Sequence, residues 1–319
     1  MEDMYSRTRL LLGDGTDDLK SSRVAVFGCG GVGSYIIEAL ARAGVGEIAV
    51  IDGDSVAESN INRQLVADRT TVGQRKAEVA RERILRINPD CRAVAYDMFY
   101  TAENADAIDL SHFDYVADAI DTVTSKLEII SRCRAAGVNI ISSMGTGNKL
   151  DPTRFRISPI EETSVCPLAR VMRRELKTRG ITGVRVLWSD EPARAPLTSD
   201  GEAPVPGRRS VPGSVSFVPS CAGLIIAGEI IRTLSAVPIL CFMQRLMRSR
   251  GKCGGAAVRR CSFSSKSAVK RCKVPQKVYD ISRDAKVLRY RTRQARGETE
   301  RIRSGSAHDA EVKGFSANA

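Results

Sequence analysis

The chain has 319 residues, of which 43% are hydrophobic, enough to bury the core of one large α/β domain or of two small ones. Its formal net charge is +12, but residues 235–319 carry 20 Lys and Arg against 6 Asp and Glu, so the preceding residues are close to neutral and need a local basic patch to bind RNA. The nine cysteines include no C-x-x-C pair, so the usual structural zinc pattern is absent. Residues 1–20 lack the apolar segment of a secretory signal, which predicts a reduced, cytoplasmic protein.

Strand-like and helix-like patterns alternate from residue 23 to about residue 141. Strands are expected at residues 24–27, 47–51, 92–97, 115–118 and 139–142. Helices are expected at residues 34–42, 74–87 and 124–136. This alternation predicts a doubly wound, mostly parallel Rossmann-like α/β sheet.

A C-terminal extension of mixed strands and helices is expected after residue 150. Its predicted strands are residues 154–158 and 184–188, separated by a helix at 167–179, and residues 215–218 lead into a helix at about 221–234. The Pro- and Gly-rich residues 191–213 predict a flexible crossover loop.

Two domains follow from this pattern. Residues 1–234 are predicted to form one α/β domain, and residues 235–319 a basic tail that is either disordered or frameshifted. The apolar stretch 222–243 is interrupted by Glu229, Arg232 and Pro238, which favours a core helix over a membrane span.

A glycine-rich turn follows the first predicted strand. Residues 24–33 read V-A-V-F-G-C-G-G-V-G, and a helical pattern begins at once after them. In this context glycines let phosphate approach the backbone, and the helix N-terminus offers unpaired N–H groups. The predicted nucleotide contacts in the turn are Gly28, Gly30, Gly31 and Gly33. Asp52 ends the next strand, where a carboxylate accepts hydrogen bonds from ribose hydroxyls.

The polar residues after the second strand favour ATP over NAD. Asn60, Arg63 and Lys76 supply an amide, a planar bidentate cation and a point charge, which suit a triphosphate better than a nicotinamide. Asp121 follows the fourth predicted strand, where a carboxylate binds Mg²⁺ that bridges phosphates. We therefore predict a site for ATP and Mg²⁺, with an NAD-dependent oxidoreductase as a distant alternative.

As a set, these motifs resemble those of the ubiquitin-activating-enzyme-like adenylating superfamily (ThiF, MoeB and HesA), over roughly residues 4–234. The resemblance implies the roles given above for Asp52, Asp121 and the triphosphate contacts, and places Gly31 against the phosphates. It further implies that Arg7 enters the ATP site of a partner subunit, so the protein is expected to be a homodimer with composite sites. The implied catalytic residues are Arg7, Arg63, Lys76 and Asp121.

Five segments are most similar to the branch of that superfamily that dehydrates threonylcarbamoyladenosine in tRNA. They are V-G at 45–46, N-I-N-R-Q at 60–64, D-A-I-D at 118–121, G-T-G-N-K-L-D-P-T at 145–153 and T-S-V-C-P-L-A at 163–169. This similarity implies that a carboxylate on the modified adenosine attacks the α-phosphate of ATP, after which the acyl-adenylate closes to a ring. The implied partner is the anticodon stem-loop of tRNA, no membrane is involved, and a sulfur-relay or electron-transfer partner stays open.

The predicted helix at 167–179 is strongly basic. Arg170, Arg173, Arg174 and Lys177 fall on one helical face, where they suit the phosphates of a tRNA stem-loop. Cys166 precedes this helix without a histidine nearby, and the scheme requires no cysteine nucleophile.

Two alternatives stay open. One is an adenylyltransferase that activates the C-terminal glycine of a sulfur-carrier protein. The other is a non-catalytic nucleotide- or RNA-binding module.

Overall fold

The computed structural model of the chain describes residues 3–195 and 212–236. The strands within these residues are β1 (Arg23–Phe27), β2 (Glu47–Ile51), β3 (Arg92–Tyr96), β4 (Tyr115–Asp118), β5 (Asn139–Ser143), β6 (Phe155–Pro159) and β7 (Arg185–Ser189). They form one sheet in the order β3-β2-β1-β4-β5-β7-β6, in which β6 pairs antiparallel with β7 and all other neighbours are parallel. This confirms the predicted doubly wound sheet with its mixed C-terminal extension.

Helices cover both faces of the sheet. They are α1 (Ser6–Leu12), α2 (Gly15–Ser21), α3 (Gly33–Ala43), α4 (Lys76–Ile87), α5 (Val123–Ala136), α6 (Pro167–Thr178) and α7 (Phe217–Leu234). Val24 and Val26 of β1 lie in one hydrophobic cluster, with α3, α4 and α7, whereas Ala25 and Phe27 lie in the other, with α5 and α6. Because successive side chains of a strand point to opposite faces, the apolar run of β1 is buried on both sides.

Two parts of the helix prediction were wrong. The short helices α1 and α2 were not predicted, and α7 begins at Phe217, four residues before the expected start at about residue 221. Pro219 lies in the first turn of α7, where it is tolerated because the first N–H groups of a helix need no intrahelical acceptor.

The helix α7 is also long and apolar enough to span a membrane, judged by length and composition alone. Its residues Ala222, Ile226 and Ile230 are fully buried in the cluster that also contains α3. A Cβ on Gly223 would lie 2.4 Å from the carbonyl oxygen of Val32, so the two helices approach closely. These contacts confirm a core helix for the described part of the apolar stretch.

The predicted crossover loop (191–213) and basic tail (235–319) lie largely outside the described residues. Only residues 191–195, 212–213 and 235–236 of these segments are described.

Candidate active site

A cavity of about 870 Å³ opens at the carboxyl ends of the central parallel strands. Strand β1 lies between β2 and β4, and the helices that follow β1 and β4 cover opposite faces of the sheet. Such a switch point leaves a crevice in which open α/β sheets bind ligands. The cavity is lined by most of the predicted site residues, namely Gly28, Gly30, Gly31, Asp52, Asn60, Arg63, Lys76 and Asp121.

The glycine turn forms one wall of this cavity, and its glycines have different roles. Gly28 has a φ of +92°, and a Cβ on Gly33 would lie 1.7 Å from the carbonyl oxygen of Gly28, so both are needed for the turn itself. A Cβ on Gly30 would meet nothing within 4 Å, which leaves open space beside the backbone. Gly31 lies under Pro219 of α7, whose Cβ would be 3.1 Å from an added Cβ. Gly33 begins α3 and does not itself line the cavity.

Asp52 is fixed by the turn that it faces. Its carboxylate accepts hydrogen bonds from the backbone N–H groups of Cys29 (2.6 Å) and Asp54 (2.8 Å). Burial raises the pKa of Asp52 above its ordinary value, although the two hydrogen bonds act to lower it. Each carboxylate oxygen keeps acceptor capacity beyond one N–H, so the group can still receive hydroxyl donors from the cavity.

The cationic side of the cavity is held by short local contacts. The Lys76 side chain is 6% exposed, and its Nζ lies 2.9 Å from Oδ2 of Asp54. Arg63 donates to the carbonyl oxygen of Ser59 (2.9 Å) and to Oδ1 of Asn62 (2.8 Å). These contacts orient both side chains. The acceptors of Arg63 are uncharged and the Asp54 partner of Lys76 is half-exposed, so both cations can bind an anionic ligand.

Asn60 completes this side of the cavity. Its Oδ1 accepts from the backbone N–H of Ala57 (3.1 Å), which fixes the amide and leaves its N–H groups as the donors.

Asp121 lies on the opposite wall, directly after β4. It is exposed, and the helix α5 that follows it is preceded by Thr122 with no side-chain cap, so the described structure gives Asp121 no capping role. No group of three or more His, Cys, Asp or Glu in metal-ligating geometry occurs among the described residues. One carboxylate is nevertheless enough for Mg²⁺ that is otherwise held by water and phosphates.

Arg7 lies away from the cavity of its own chain. It is an exposed residue of α1 and is absent from the cavity lining. Its predicted position in a partner's site stays a prediction.

Sequence reasoning missed a buried ion pair beneath the cavity. Lys126 and Asp118 are both fully buried, and Lys126 Nζ lies 3.1 Å from each carboxylate oxygen. The same Nζ donates to the carbonyl oxygen of Ser143 (2.8 Å), while the hydroxyl of Ser142 donates to Asp118 (2.5 Å). The network ties the ends of β4 and β5 to α5, and both ends lead into the cavity wall. The signal was the helical spacing of Lys126 with the buried residues Ile129, Ile130 and Cys133.

A buried carboxylate holds the loop after β5. Glu191 accepts from the backbone N–H groups of Leu150 (3.0 Å) and Asp151 (3.0 Å). Burial opposes the charge, but these donors and the ammonium of Lys149 keep the pKa of Glu191 below its ordinary value of 4.5.

The basic helix α6 differs in one respect from the expectation. Arg173 does not join a free basic face, because it donates to Oγ1 of Thr163 (2.6 Å) and so ties α6 to the preceding loop. Cys166 is 3% exposed and immediately precedes α6.

The fold and cavity define an α/β domain of the nucleotide-binding class, with a glycine turn, a carboxylate that faces this turn and a cationic wall. Comparison with known proteins agrees, because the model of the ThiF family matches residues 5–272. The chain belongs to the ThiF family.

Similar proteins of known name share most of their length with this chain. The tRNA threonylcarbamoyladenosine dehydratase of Bacillus subtilis is 44% identical over 239 residues, which cover 72% of this chain and 94% of that protein. Among solved structures, the E. coli tRNA N6-threonylcarbamoyladenosine dehydratase in complex with AMP has a TM-score of 0.65 and 34% identity, over 72% of this chain and 92% of that one. The ATP complex of the same E. coli protein has a TM-score of 0.62, 33% identity and the same two coverages.

Proposed function

We propose that this protein is an ATP-dependent tRNA-modifying enzyme that dehydrates N6-threonylcarbamoyladenosine to its cyclic form. The observation that carries the proposal is the cavity, in which a ribose-side carboxylate, two cations and an open carboxylate surround the glycine turn. The similarity covers nearly the whole length of a named dehydratase and of one solved with ATP, and it supports the choice of substrate and nucleotide. A tRNA substrate implies a cytoplasmic location.

The mechanism consists of an adenylyl transfer followed by an intramolecular acyl transfer. The threonyl carboxylate attacks the α-phosphate of ATP, and pyrophosphate leaves to give an acyl-adenylate. The carbamoyl group of the same side chain then attacks the activated carbonyl carbon, loses a proton and expels AMP as the ring closes. Neither step needs a covalent enzyme intermediate, so the protein contributes positioning and neutralisation of phosphate charge.

The residues of the cavity suit these tasks. Asp52 would receive the ribose hydroxyls, while Arg63, Lys76 and the amide of Asn60 would bind the triphosphate and the leaving pyrophosphate. The N–H groups of the glycine turn and the N-terminus of α3 add positive potential beside the phosphates. Lys76 would then exchange its contact with Asp54 for one with a phosphate oxygen.

The charge of the cavity supports a role for Mg²⁺. The charged side chains that line it within the described residues are two cations, Arg63 and Lys76, and three anions, Asp52, Asp54 and Asp121. They sum to −1, whereas ATP brings about four more negative charges. Asp121 would hold Mg²⁺ together with phosphate oxygens and water, and the ion would supply charge neutralisation when bound.

The shortage of positive charge in the cavity also supports a homodimer in which Arg7 of one copy enters the site of the other. The helix α1 that carries Arg7 has no buried residue, and its Leu10 and Leu11 are 84% and 83% exposed. Packing α1 against a second copy would cover these leucines and bring the guanidinium to the triphosphate.

The test uses purified protein, ATP, Mg²⁺ and tRNA that carries the modified nucleoside, with nucleoside mass spectrometry as the readout. Conversion to a nucleoside lighter by one water, with release of AMP and pyrophosphate, is expected. A parallel reaction replaces tRNA with a sulfur-carrier protein that ends in glycine. Pyrophosphate exchange with the carrier alone would contradict the proposal and favour carrier activation instead. A protein that binds ATP and tRNA but turns over neither substrate would favour a binding module.

A further inference from the structure

The helix α6 begins at the cavity and leads away from it. Leu168, in its first turn, lines the cavity, and no later described residue of α6 does so. Cys166, just before the helix, lies 3.7 Å from the place where a Cβ on Gly145 would be, and Gly145 also lines the cavity. With 12 residues the helix is about 18 Å long, so it connects the cavity mouth with a distant part of the surface.

Packing fixes which face of α6 meets solvent. The buried residues are Ala169, Met172 and Leu176. The side opposite them carries Arg170, Arg174 and Lys177, which are all exposed. Their spacing of four and three residues places them in one row along the helix, so they form a single basic ladder.

Most of the charge of this basic ladder is uncompensated. Arg170 and Lys177 make no ion pair within the part of the chain that the structure describes. Arg174 meets Glu175 at 3.1 Å, but that carboxylate is shared with Arg179 at 2.9 Å. Like charges three or four residues apart on one helix face repel one another and destabilise the helix. Binding of an extended polyanion would relieve that repulsion.

The cavity has a nucleotide end and a second end. Asp52 and the glycine turn occupy the first, and the loop 145–147 after β5, together with Leu168, lines the second. If ATP binds at the first end, the second end is the part of the described cavity that is left for the attacking carboxylate. A nucleoside that entered past Leu168 would then have its own phosphate backbone beside the first turns of α6.

From this geometry we propose that the basic ladder is the track for the tRNA backbone, with Arg170, Arg174 and Lys177 bound to successive phosphates next to the inserted nucleoside. The proposal rests on the proposed function for the identity of the RNA. Since phosphate contacts position a nucleic acid without reading its sequence, the ladder sets the register of the nucleoside relative to the cavity.

The test reverses two charges of the basic ladder and compares this variant with one in which two positive charges are reversed on another helix. The full-length double variant R170E/K177E is set beside R81E/R86E, whose arginine side chains are 38% and 69% exposed on α4, on the other face of the sheet. The first is expected to raise the KM for tRNA about tenfold to a hundredfold, with the KM for ATP and the kcat at saturating tRNA unchanged. For two lost phosphate contacts, the dependence of log Kd on log salt should become less steep by about 1.4 to 1.8. The control variant should retain the wild-type values.

Binding of an unmodified tRNA transcript, followed by fluorescence anisotropy in the same proteins, separates this proposal from the proposed function. If wild type binds the transcript but never forms the cyclic nucleoside from tRNA that carries threonylcarbamoyladenosine, the proposed function is wrong, and the anisotropy measurement still tests the ladder. An unchanged affinity in R170E/K177E, or an equal loss in R81E/R86E, would overturn the ladder. If the Tm of R170E/K177E is lower than that of wild type, R170Q/K177Q provides the same comparison with a smaller expected loss of affinity for tRNA.

Discussion

The buried ion pair of Lys126 and Asp118 makes a quantitative prediction about stability. Both side chains are fully buried, and Lys126 Nζ also donates to the carbonyl oxygen of Ser143. Lys126→Met removes the cation, leaves a carboxylate in a dry environment and deprives that carbonyl of a donor. Loss of one partner of a buried pair costs about 3–5 kcal/mol of the free energy of unfolding. For a domain of this size, that corresponds to a fall in Tm of roughly 6–20 °C.

Urea denaturation followed by circular dichroism measures the effect. Lys20→Met is the matched control, because Lys20 is a half-exposed lysine whose partner Asp17 is 76% exposed, and it should change the free energy by less than about 0.5 kcal/mol. The double variant Lys126→Met with Asp118→Asn removes both charges and should recover about 2 kcal/mol relative to the single variant. A single variant within about 1 kcal/mol of wild type, or strictly additive losses in the double variant, would refute this reasoning.

Further predictions concern the site and its support. Lys76→Ala and Arg63→Ala should each lower kcat for tRNA dehydration by about a hundredfold or more while the Tm stays within a few degrees; a loss confined to KM would contradict their role in the transition state. An inactive Arg7→Ala protein mixed and refolded with inactive Lys76→Ala should regain about a quarter of wild-type activity, since one site of each mixed dimer is intact; no recovery would contradict composite sites. Cys166→Ala should keep kcat within a few-fold of wild type, and an inactive but folded protein would reveal a covalent step. Because the pKa of Glu191 is lowered on folding, its charge stabilises the protein above about pH 4.5, and this contribution is lost as the pH falls through the pKa of the folded state. Glu191→Gln should therefore lower the free energy of unfolding at pH 7 by about 1–3 kcal/mol, and the difference from wild type should shrink below pH 4.5. A difference in stability that does not change with pH would contradict this assignment.

The nucleotide half of the site could be predicted from sequence because its signals are local. Gly28 and Gly33 are required by a turn whose geometry no other residue fits, and Asp52 follows at the spacing set by one βαβ unit. A glycine pattern, a strand and a helix N-terminus are all read within one short segment, so tertiary packing adds little to the inference.

The supporting half of the site could not be predicted in the same way because it depends on packing. Lys126 resembles a surface lysine until β5 is placed beside β4, which brings Ser142 and Ser143 to its amino group. The beginning of α7 was also missed, because the helix starts at Phe217, four residues before the expected start at about residue 221. Helix α1 has no buried residue, so the hydrophobic period that reveals core helices is absent from it.

Transfer of an oxygen atom tests the adenylation mechanism most directly. The threonyl carboxylate of the tRNA substrate is labelled with ¹⁸O, and the nucleotide products of a complete reaction are analysed by mass spectrometry. Attack of the carboxylate on the α-phosphate, followed by ring closure at the carbonyl carbon, predicts one labelled oxygen in AMP and none in pyrophosphate. Label in inorganic phosphate alongside ADP, or AMP without label, would contradict carboxylate adenylation in this cavity.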